Sequence, residues 1–282
     1  MAKTLRRGRP LTGRVALVTG GVSGIGRAAA LALARMGADL AIGSLLAQGG
    51  RTRPKVENSY FPALEEQQAT RDLLRKSRAK VYADKLDVRS DRSVERFLRG
   101  TIDALGEPDI LVCAAGTDFN HPICDHPDEM WHKIIDTNLT GTYRMIKRCL
   151  PAMIRRRWGR IIIVASTSAT TGSPLKPAYS ASKAGLLGLM RCVALEGAPH
   201  FVTCNAVSPA TVETEMFNTT FLHTSEKTGK SIQQLREERL ATYPQARFLE
   251  PAEIAATIAF LCTEQARGIT MENLGITGGA IF

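Results

Sequence analysis

Tyr179 and Lys183 are the two residues of this sequence whose types and spacing most directly suggest chemistry. They stand four positions apart, so both side chains lie on one face of a helix. A free tyrosine has a pKa near about 10, and a neighbouring ammonium group favours the phenolate and lowers that pKa. The pair therefore predicts a group that gives and takes a proton, although the same spacing also occurs on solvated helix faces.

Ser166 is a third candidate, because it follows the apolar run 161–165 and precedes Tyr179 in the chain. A hydroxyl at the end of a buried strand is able to hydrogen-bond the oxygen of a carbonyl substrate. Ser168 is a rival for this role, and either serine alternatively satisfies the backbone of the loop after the strand.

A glycine-rich turn lies near the start of the chain, between an apolar strand and a helical pattern that stops at Gly37. Its members are Gly20, Ser23, Gly24, Ile25 and Gly26. Glycines here let the backbone turn tightly and approach a pyrophosphate, while the following helix offers free N–H groups and a positive dipole end. The alternative is a tight strand-to-helix turn that binds no ligand.

Strands and helices alternate along the chain. We predict strands at 14–19, 39–43, 80–86, 109–115, 160–165, 203–207 and 274–277. We predict helices at 27–36, 63–76, 92–105, 128–156 with a bend at Pro151, 178–197 and 251–262. This alternation predicts an α/β fold with one doubly wound parallel sheet and helices on both faces. Polar residues after several strands should then meet at one crevice.

The charge pattern limits the kinds of binding partner that we expect. The net charge is +10, and five basic residues but no acid lie in the first fourteen positions. We expect residues 1–13 to form a basic flexible arm and residues 14–282 to form a single domain. A positive field attracts phosphate-bearing ligands, but no basic patch is interleaved with aromatic residues, so we expect no nucleic-acid partner.

The apolar runs and the cysteines indicate which cellular compartment to expect. No run approaches the about 20 apolar residues that span a bilayer, and no secretory signal pattern is present, so we expect no membrane partner. The six cysteines include no Cys-x-x-Cys pair and no Cys/His cluster with metal-ligand spacing. We therefore expect a reducing, cytoplasmic setting and assign no metal site.

Together these motifs resemble the classical short-chain dehydrogenase/reductase family over residues 12–279. The resemblance rests on the following segments: the glycine turn at 19–26, Asp87-Val88, Ala115-Gly116, Asn138 within 137–141, Ser166, Tyr179 with Lys183, and 205–209. It implies a single-domain Rossmann fold and hydride transfer between a nicotinamide cofactor and a secondary alcohol or ketone. A sensor or scaffold of the same fold without turnover is the alternative.

The resemblance also implies roles for individual residues. Tyr179 is the general acid/base, Lys183 lowers its pKa and binds the nicotinamide ribose, and Ser166 orients the substrate oxygen. Asn138 holds a helix kink and a water of the proton relay. Asp87 and Val88 contact the adenine, and the Pro209 segment lies beside the nicotinamide. The full cofactor-binding set is Gly20, Ser23, Gly24, Ile25, Gly26, Ser44, Asp87, Val88, Ala115, Gly116, Tyr179, Lys183, Pro209 and Val212.

Two departures from the family pattern concern the cofactor. Members that prefer NAD(H) carry an acid at the end of the second strand, where this chain has Ser44. Arg51 and Arg53 follow and are able to meet a 2′-phosphate, so we expect NADP(H) to be favoured, with NAD(H) possible. An insertion at about 45–61 separates Ser44 from Asp87, and it is either a flap over the adenosine end, an interface element, or a tolerated surface loop.

The substrate is the least determined feature. Residues 210–247 correspond to the substrate loop of the family and contain Met216, Phe217 and Phe221. Their pattern does not distinguish a 3-oxoacyl thioester from a sugar, polyol or small alcohol. By resemblance, we expect a homo-oligomer, a tetramer or a dimer, formed through the helices at 128–156 and 178–197.

Overall fold

One parallel sheet organises the chain. The structure is a computed structural model that describes residues 9–48, 52 and 58–280. Seven strands pair in the order β3-β2-β1-β4-β5-β6-β7. They are β1 Val15–Thr19, β2 Asp39–Ser44, β3 Val81–Lys85, β4 Ile110–Cys113, β5 Gly159–Val164, β6 Val202–Pro209 and β7 Asn273–Ile276. The prediction of a doubly wound α/β fold is confirmed.

Helices connect the strands and cover both faces of the sheet. They are α1 Gly24–Arg35, α2 Leu64–Lys76, α3 Asp91–Leu105, α4 Asp128–Ile135, α5 Gly141–Arg156, α6 Ser168–Thr171, α7 Pro177–Gly197, α8 Glu215–Thr228, α9 Ile232–Leu240 and α10 Pro251–Leu261. No helix of the described ranges is long and apolar enough to cross a membrane.

Alternate residues of the central strands face two separate cores, because successive side chains of a strand point to opposite faces. In β5, Ile162 and Val164 pack into the core beneath α1 and α10. Ile161 and Ile163 pack into the core beneath α5 and α7. Both faces are therefore covered, which explains why the predicted strands are almost continuously apolar.

The glycine turn depends on the absence of side chains at two positions. Gly20 has φ +67°, a left-handed conformation in which a side chain is strained. A Cβ added at Gly26 would lie 2.2 Å from the carbonyl oxygen of Gly20. The hydroxyl of Thr19 accepts hydrogen bonds from the backbone N–H of Ala114 and Ala115, each at 3.1 Å. The turn after β1 and the turn after β4 are thus held together.

Three predicted boundaries differ from the structure. The segment predicted as one helix at 128–156 consists of α4, a π-helical turn at Asp136–Thr140 and α5, and Pro151 lies inside α5. The predicted loop at 210–247 contains α8 and α9. Leu11 is 1% exposed in the α1 core, so residues 9–13 pack onto the domain instead of belonging to the predicted flexible arm.

Gly26→Ala tests the close approach in the glycine turn. The added methyl group meets a backbone oxygen that has no room to move, so we expect the free energy of unfolding to fall by roughly 1–3 kcal/mol. Urea denaturation measures this loss. Gly268→Ala is the matched control, because a Cβ there meets nothing within 4 Å. Equal stabilities of the two variants would contradict the packing described for the turn.

Candidate active site

A cavity of about 730 Å³ opens at the carboxyl ends of the strands. This is the edge at which open parallel sheets bind ligands. All of the residues that the sequence assigned to the cofactor line this cavity, and so does Ser166. Asn138 does not line it and lies behind the wall.

The glycine turn and the start of α1 present backbone donors to the cavity. Ser23 is the N-cap of α1 with extended backbone, and its side chain makes no capping hydrogen bond. The first N–H groups of the helix therefore have no side-chain acceptor in the cap, which suits an anion such as a pyrophosphate. A Cβ at Gly20 would lie 2.9 Å from the backbone N of Ala115, and one at Gly26 would lie 2.2 Å from the carbonyl oxygen of Gly20, so the turn stays this tight only without side chains. The geometry thus fits the dinucleotide that the family motif implies.

The ends of β2 and β3 form the region where the adenosine half of a dinucleotide would lie. Ser44 is buried, and its hydroxyl accepts a hydrogen bond from the N–H of Val22 at 3.2 Å. Arg89 holds Asp87 through Nε at 3.0 Å and Nη2 at 2.8 Å. Burial alone would raise the pKa of Asp87, but the hydrogen bonds and charge of Arg89 lower it.

Sequence reasoning did not single out Arg89, although it directly follows Asp87-Val88. Arg89 lines the cavity beside Asp87 and Val88, at the adenosine end of the site. The two arginines that the sequence favoured for a 2′-phosphate, Arg51 and Arg53, lie outside the described residues.

Tyr179 and Ser166 meet at the opposite end of the cavity. Tyr179 lies in the first turn of α7, and Ser166 follows β5. Burial raises the pKa of Tyr179 and the charge of Asp118 raises it further, while a hydrogen bond with Ser166 acts in the opposite direction. The rival Ser168 instead pairs its hydroxyl with that of Ser173 at 2.7 Å. Of the two serines, Ser166 is therefore the partner of the tyrosine.

Lys183 is buried beside Tyr179. Its Nζ lies 5.5 Å from the centroid of the tyrosine ring and donates a hydrogen bond to the carbonyl oxygen of Val164 at 2.8 Å. Burial lowers the pKa of Lys183 to about 8. The sequence led us to expect a lowered tyrosine pKa at this pair. The structure differs, because the loss of hydration and the charge of Asp118 raise the pKa of Tyr179.

Asn138 supports this wall from behind. It lies in the π-helical turn and is 1% exposed. Its amide accepts a hydrogen bond from the N–H of Thr117 at 2.9 Å and donates to the carbonyl oxygen of Thr117 and to the hydroxyl of Ser182, each at 3.0 Å. A Cβ at Gly116 would lie 3.4 Å from the Asn138 Oδ1 and 3.8 Å from the Lys183 Nζ. The kink thus places the β4 turn against α7.

A buried ion pair also lies at this end of the cavity, and sequence reasoning missed it. Asp118 is 3% exposed and binds the ammonium group of Lys176. Both residues line the cavity. The available signal was positional, since Asp118 directly follows the β4 turn and Lys176 precedes Tyr179 by three residues.

Two further segments enclose the cavity. Residues 59–62, at the end of the segment predicted to be an insertion, line it together with α8. Asn58 is buried, and its N–H donates to the carbonyl oxygen of Asp118 at 2.8 Å. The Oδ1 of Asn58 lies 3.1 Å from Nδ1 of His223 on α8. Phe217 of α8 packs edge-on against Phe248 with ring centroids 4.8 Å apart.

Comparison with known proteins agrees with this geometry. The family model described as enoyl-(acyl carrier protein) reductase matches residues 55–280. The 3-oxoacyl-acyl-carrier-protein reductase FabG of Vibrio cholerae is 36% identical over 95% of this chain and 98% of its own length. A short-chain dehydrogenase/reductase of Armillaria gallica is 34% identical over 96% of this chain and 97% of its own length.

Solved structures agree with the sequence relatives. A variant of actinorhodin polyketide ketoreductase with NADPH superimposes with a TM-score of 0.85 and 31% identity, over 95% of this chain and 97% of that one. Levodione reductase superimposes with a TM-score of 0.84 and 26% identity, over 95% of this chain and 98% of that one. The predicted class of oxidoreductase is confirmed, and the chain belongs to the short-chain dehydrogenase/reductase family.

Proposed function

We propose that this chain interconverts a ketone and a secondary alcohol with NADP(H), and that Tyr179, Ser166, Lys183 and Asn138 carry the reaction. The observation that carries this proposal is one cavity with a pyrophosphate-type glycine turn at one end and Tyr179 with Ser166 at the other. A scaffold without turnover would need no proton donor at that second end. The bound nicotinamide supplies or accepts the hydride.

In the reduction direction, Tyr179 donates the proton to the substrate oxygen. Its raised pKa keeps the phenol protonated at neutral pH, which is the form that a proton donor needs. Ser166 donates a second hydrogen bond to the same oxygen and holds the carbonyl in place. Lys183, anchored on the carbonyl oxygen of Val164, holds the ribose hydroxyls on the nicotinamide side. Asn138 keeps the β4 turn and α7 in register.

The cofactor residues divide into two groups. Gly20, Ser23, Gly24, Ile25 and Gly26 bind the pyrophosphate through backbone N–H groups. The remaining predicted residues bind the adenosine and nicotinamide halves, and they are Ser44, Asp87, Val88, Ala115, Gly116, Tyr179, Lys183, Pro209 and Val212. The cavity walls that these residues form support the assignment.

NADP(H) is the favoured form of the cofactor, and NAD(H) is the possible alternative. Ser44 at the end of β2 provides no carboxylate to repel a 2′-phosphate. Arg89 lies at the same end of the cavity, but Asp87 pairs with its charge, so the preference rests on Ser44. A solved relative that contains NADPH supports the same preference.

The insertion at about 45–61 acts as a flap over the cofactor. Its described end lies against the β4 turn, where the hydroxyls of Ser59 and Thr117 are hydrogen-bonded. Asn58 then contacts both the loop after β4 and α8. These contacts favour the flap over the alternative of a surface loop. The flap and the segment 210–247 belong to the single domain predicted at 14–282, onto which residues 9–13 of the predicted basic arm also pack through Leu11.

The substrate is a small-molecule ketone or alcohol, and a 3-oxoacyl compound is favoured over a sugar or polyol. FabG and actinorhodin polyketide ketoreductase are relatives over nearly the whole chain. Phe217 and Phe221 lie on the cavity wall and suit an apolar chain better than a polyol. We propose no nucleic-acid or membrane partner.

We infer a cytoplasmic homo-oligomer, a tetramer or a dimer. All six cysteines are unpaired, as is usual in a reducing compartment. Tyr143 on α5 is 45% exposed and Leu195 on α7 is 65% exposed, so each of the two helices presents a large apolar side chain for a partner subunit.

Tyr179→Phe tests the proton donor. Loss of the hydroxyl should lower kcat for ketone reduction at least about 100-fold, because general acid catalysis contributes that much. The Kd for NADPH should stay within about twofold, since the cofactor is held mainly by the glycine turn. Nicotinamide absorbance measures the rate and fluorescence titration measures the Kd. Tyr143→Phe, which removes a hydroxyl from the exposed face of α5, is the control, and unchanged turnover in Tyr179→Phe would refute the role.

Ser44→Asp tests the choice of cofactor. A carboxylate at the end of β2 repels a 2′-phosphate and accepts hydrogen bonds from the ribose hydroxyls of NADH. We expect the ratio of kcat/KM for NADPH to that for NADH to fall by about tenfold or more. Ser44→Ala removes the hydroxyl without adding charge and serves as the control. A wild-type protein that already prefers NADH would contradict the proposal.

The pH profile of ketone reduction tests the state of Lys183. Its lowered pKa of about 8 means that the ammonium group loses its proton as the pH rises through that value. Tyr179 keeps its proton over the same range because its pKa is raised. At saturating NADPH, kcat/KM should therefore be level below pH 8 and decline above it. A profile that stays level well past pH 8 would count against this assignment.

A further inference from the structure

The pair of Asp118 and Lys176 is a charged group that the proposed reaction does not use. Asp118 is almost fully buried, and a buried carboxylate is costly unless hydrogen bonds and an opposite charge compensate it. Its Oδ1 accepts the N–H of Phe119 at 2.8 Å, and its Oδ2 binds Nζ of Lys176. The pair joins the loop after β4 to the residue before α7, the helix that carries Tyr179.

Lys176 lies close to the reacting end of the cavity. Its Nζ is 5.4 Å from the centroid of the Tyr179 ring, while the Nζ of Lys183 is 5.5 Å from the same centroid. The side chain of Lys176 remains 25% exposed and lines the cavity. Tyr179 is therefore flanked by two ammonium groups, and Lys176 is not part of the motif that identified the family.

The ammonium group of Lys176 has more N–H donors than the described protein acceptors use. An ammonium group carries three N–H donors. Within the described part of the chain, Asp118 is the only hydrogen-bond acceptor of the Lys176 Nζ. At least one donor is therefore available to a ligand in the cavity, near the oxygen that Tyr179 and Ser166 would hold.

The net charge of the Asp118–Lys176 pair indicates which kind of ligand oxygen Lys176 binds best. Asp118 already neutralises the ammonium group, so an anionic ligand would meet a carboxylate as well as a cation. A neutral carbonyl oxygen accepts the hydrogen bond without that repulsion. The anchored lysine therefore fits an uncharged acceptor better than a carboxylate or a phosphate.

We propose that Lys176 is a specificity-determining residue, which donates a hydrogen bond to a second, neutral carbonyl oxygen of the substrate. Asp118 is the positioning residue that holds the ammonium group in place. The proposal rests on the proposed ketone reduction, in which Tyr179 and Ser166 bind the first oxygen. The protein then distinguishes 1,3-dicarbonyl compounds from simple ketones through a residue outside the catalytic set.

The test compares two substrates of similar chain length, ethyl acetoacetate and 2-hexanone, with NADPH in the full-length protein. The variants are Lys176→Met and the double variant Lys176→Met/Asp118→Asn, in which no buried charge is left without a partner. Lys76→Met makes the same chemical change at the exposed end of α2 and is the control. The ratio of kcat/KM values for the two substrates is the readout, because a partly unfolded preparation lowers both values equally.

The wild-type protein and Lys76→Met should prefer ethyl acetoacetate. In Lys176→Met and in the double variant, kcat/KM for ethyl acetoacetate should fall about tenfold, the effect of one hydrogen bond to a charged group. The value for 2-hexanone should stay within about twofold, because that ketone has no second oxygen. Asp118→Asn alone should also reduce the preference, since Lys176 loses its anchor.

Other results overturn the proposal. An equal fall for both ketones in the double variant means that the pair only supports the structure. An unchanged ratio means that Lys176 does not contact the substrate. If the wild-type protein reduces neither ketone with NADPH, the proposed function fails, and the role of Lys176 fails with it.

Discussion

The parallel pairing of all seven strands is the constraint on which the site depends. Because every strand runs the same way, every carboxyl end emerges at the same edge of the sheet. The turns after β1, β4, β5 and β6 therefore converge although they are far apart in the chain. Contacts such as those of the Thr19 hydroxyl with the N–H groups of the β4 turn then fix their relative positions.

Burial sets the chemistry at this edge more than any single charge does. Removing Lys183 from water lowers its pKa, and removing Tyr179 from water raises its pKa. Both shifts favour the uncharged forms. The carboxylate of Asp118 adds to the shift of the tyrosine and opposes that of the lysine. The resulting site contains a protonated phenol at neutral pH, which suits the delivery of a proton to a ketone.

Access to the cavity is shaped by two segments that lie outside the regular βα repeat. The end of the predicted insertion contacts the loop after β4, and Asn58 links both of them to α8. The aromatic cluster around Phe217 and Phe248 fixes α8 on the body of the domain. A change in either segment is thus transmitted to the other by direct hydrogen bonds.

The sequence by itself determined the sheet and the glycine turn, and it predicted that Ser166, Tyr179 and Lys183 would share one site, where they line one cavity. These features depend on local patterns, because the periodicity of strands and helices and the short spacings between residues are visible in the sequence itself. It predicted a bend at Pro151, which lies inside α5, and the resemblance implied a kink at Asn138, which lies in the π-helical turn at 136–140 and contacts Thr117 and Ser182. It also missed α8 and α9, whose patterns are weakly apolar.

Only the tertiary structure decided the electrostatics of the site. Asp118 and Lys176 are 58 positions apart, so no local pattern pairs them. The raised pKa of Tyr179 likewise depends on how much water the folded chain removes from the phenol, and the spacing of Tyr179 and Lys183 contains no information on burial. Spacing along a helix determines which groups share a face, whereas long-range packing determines their hydration and their charged neighbours.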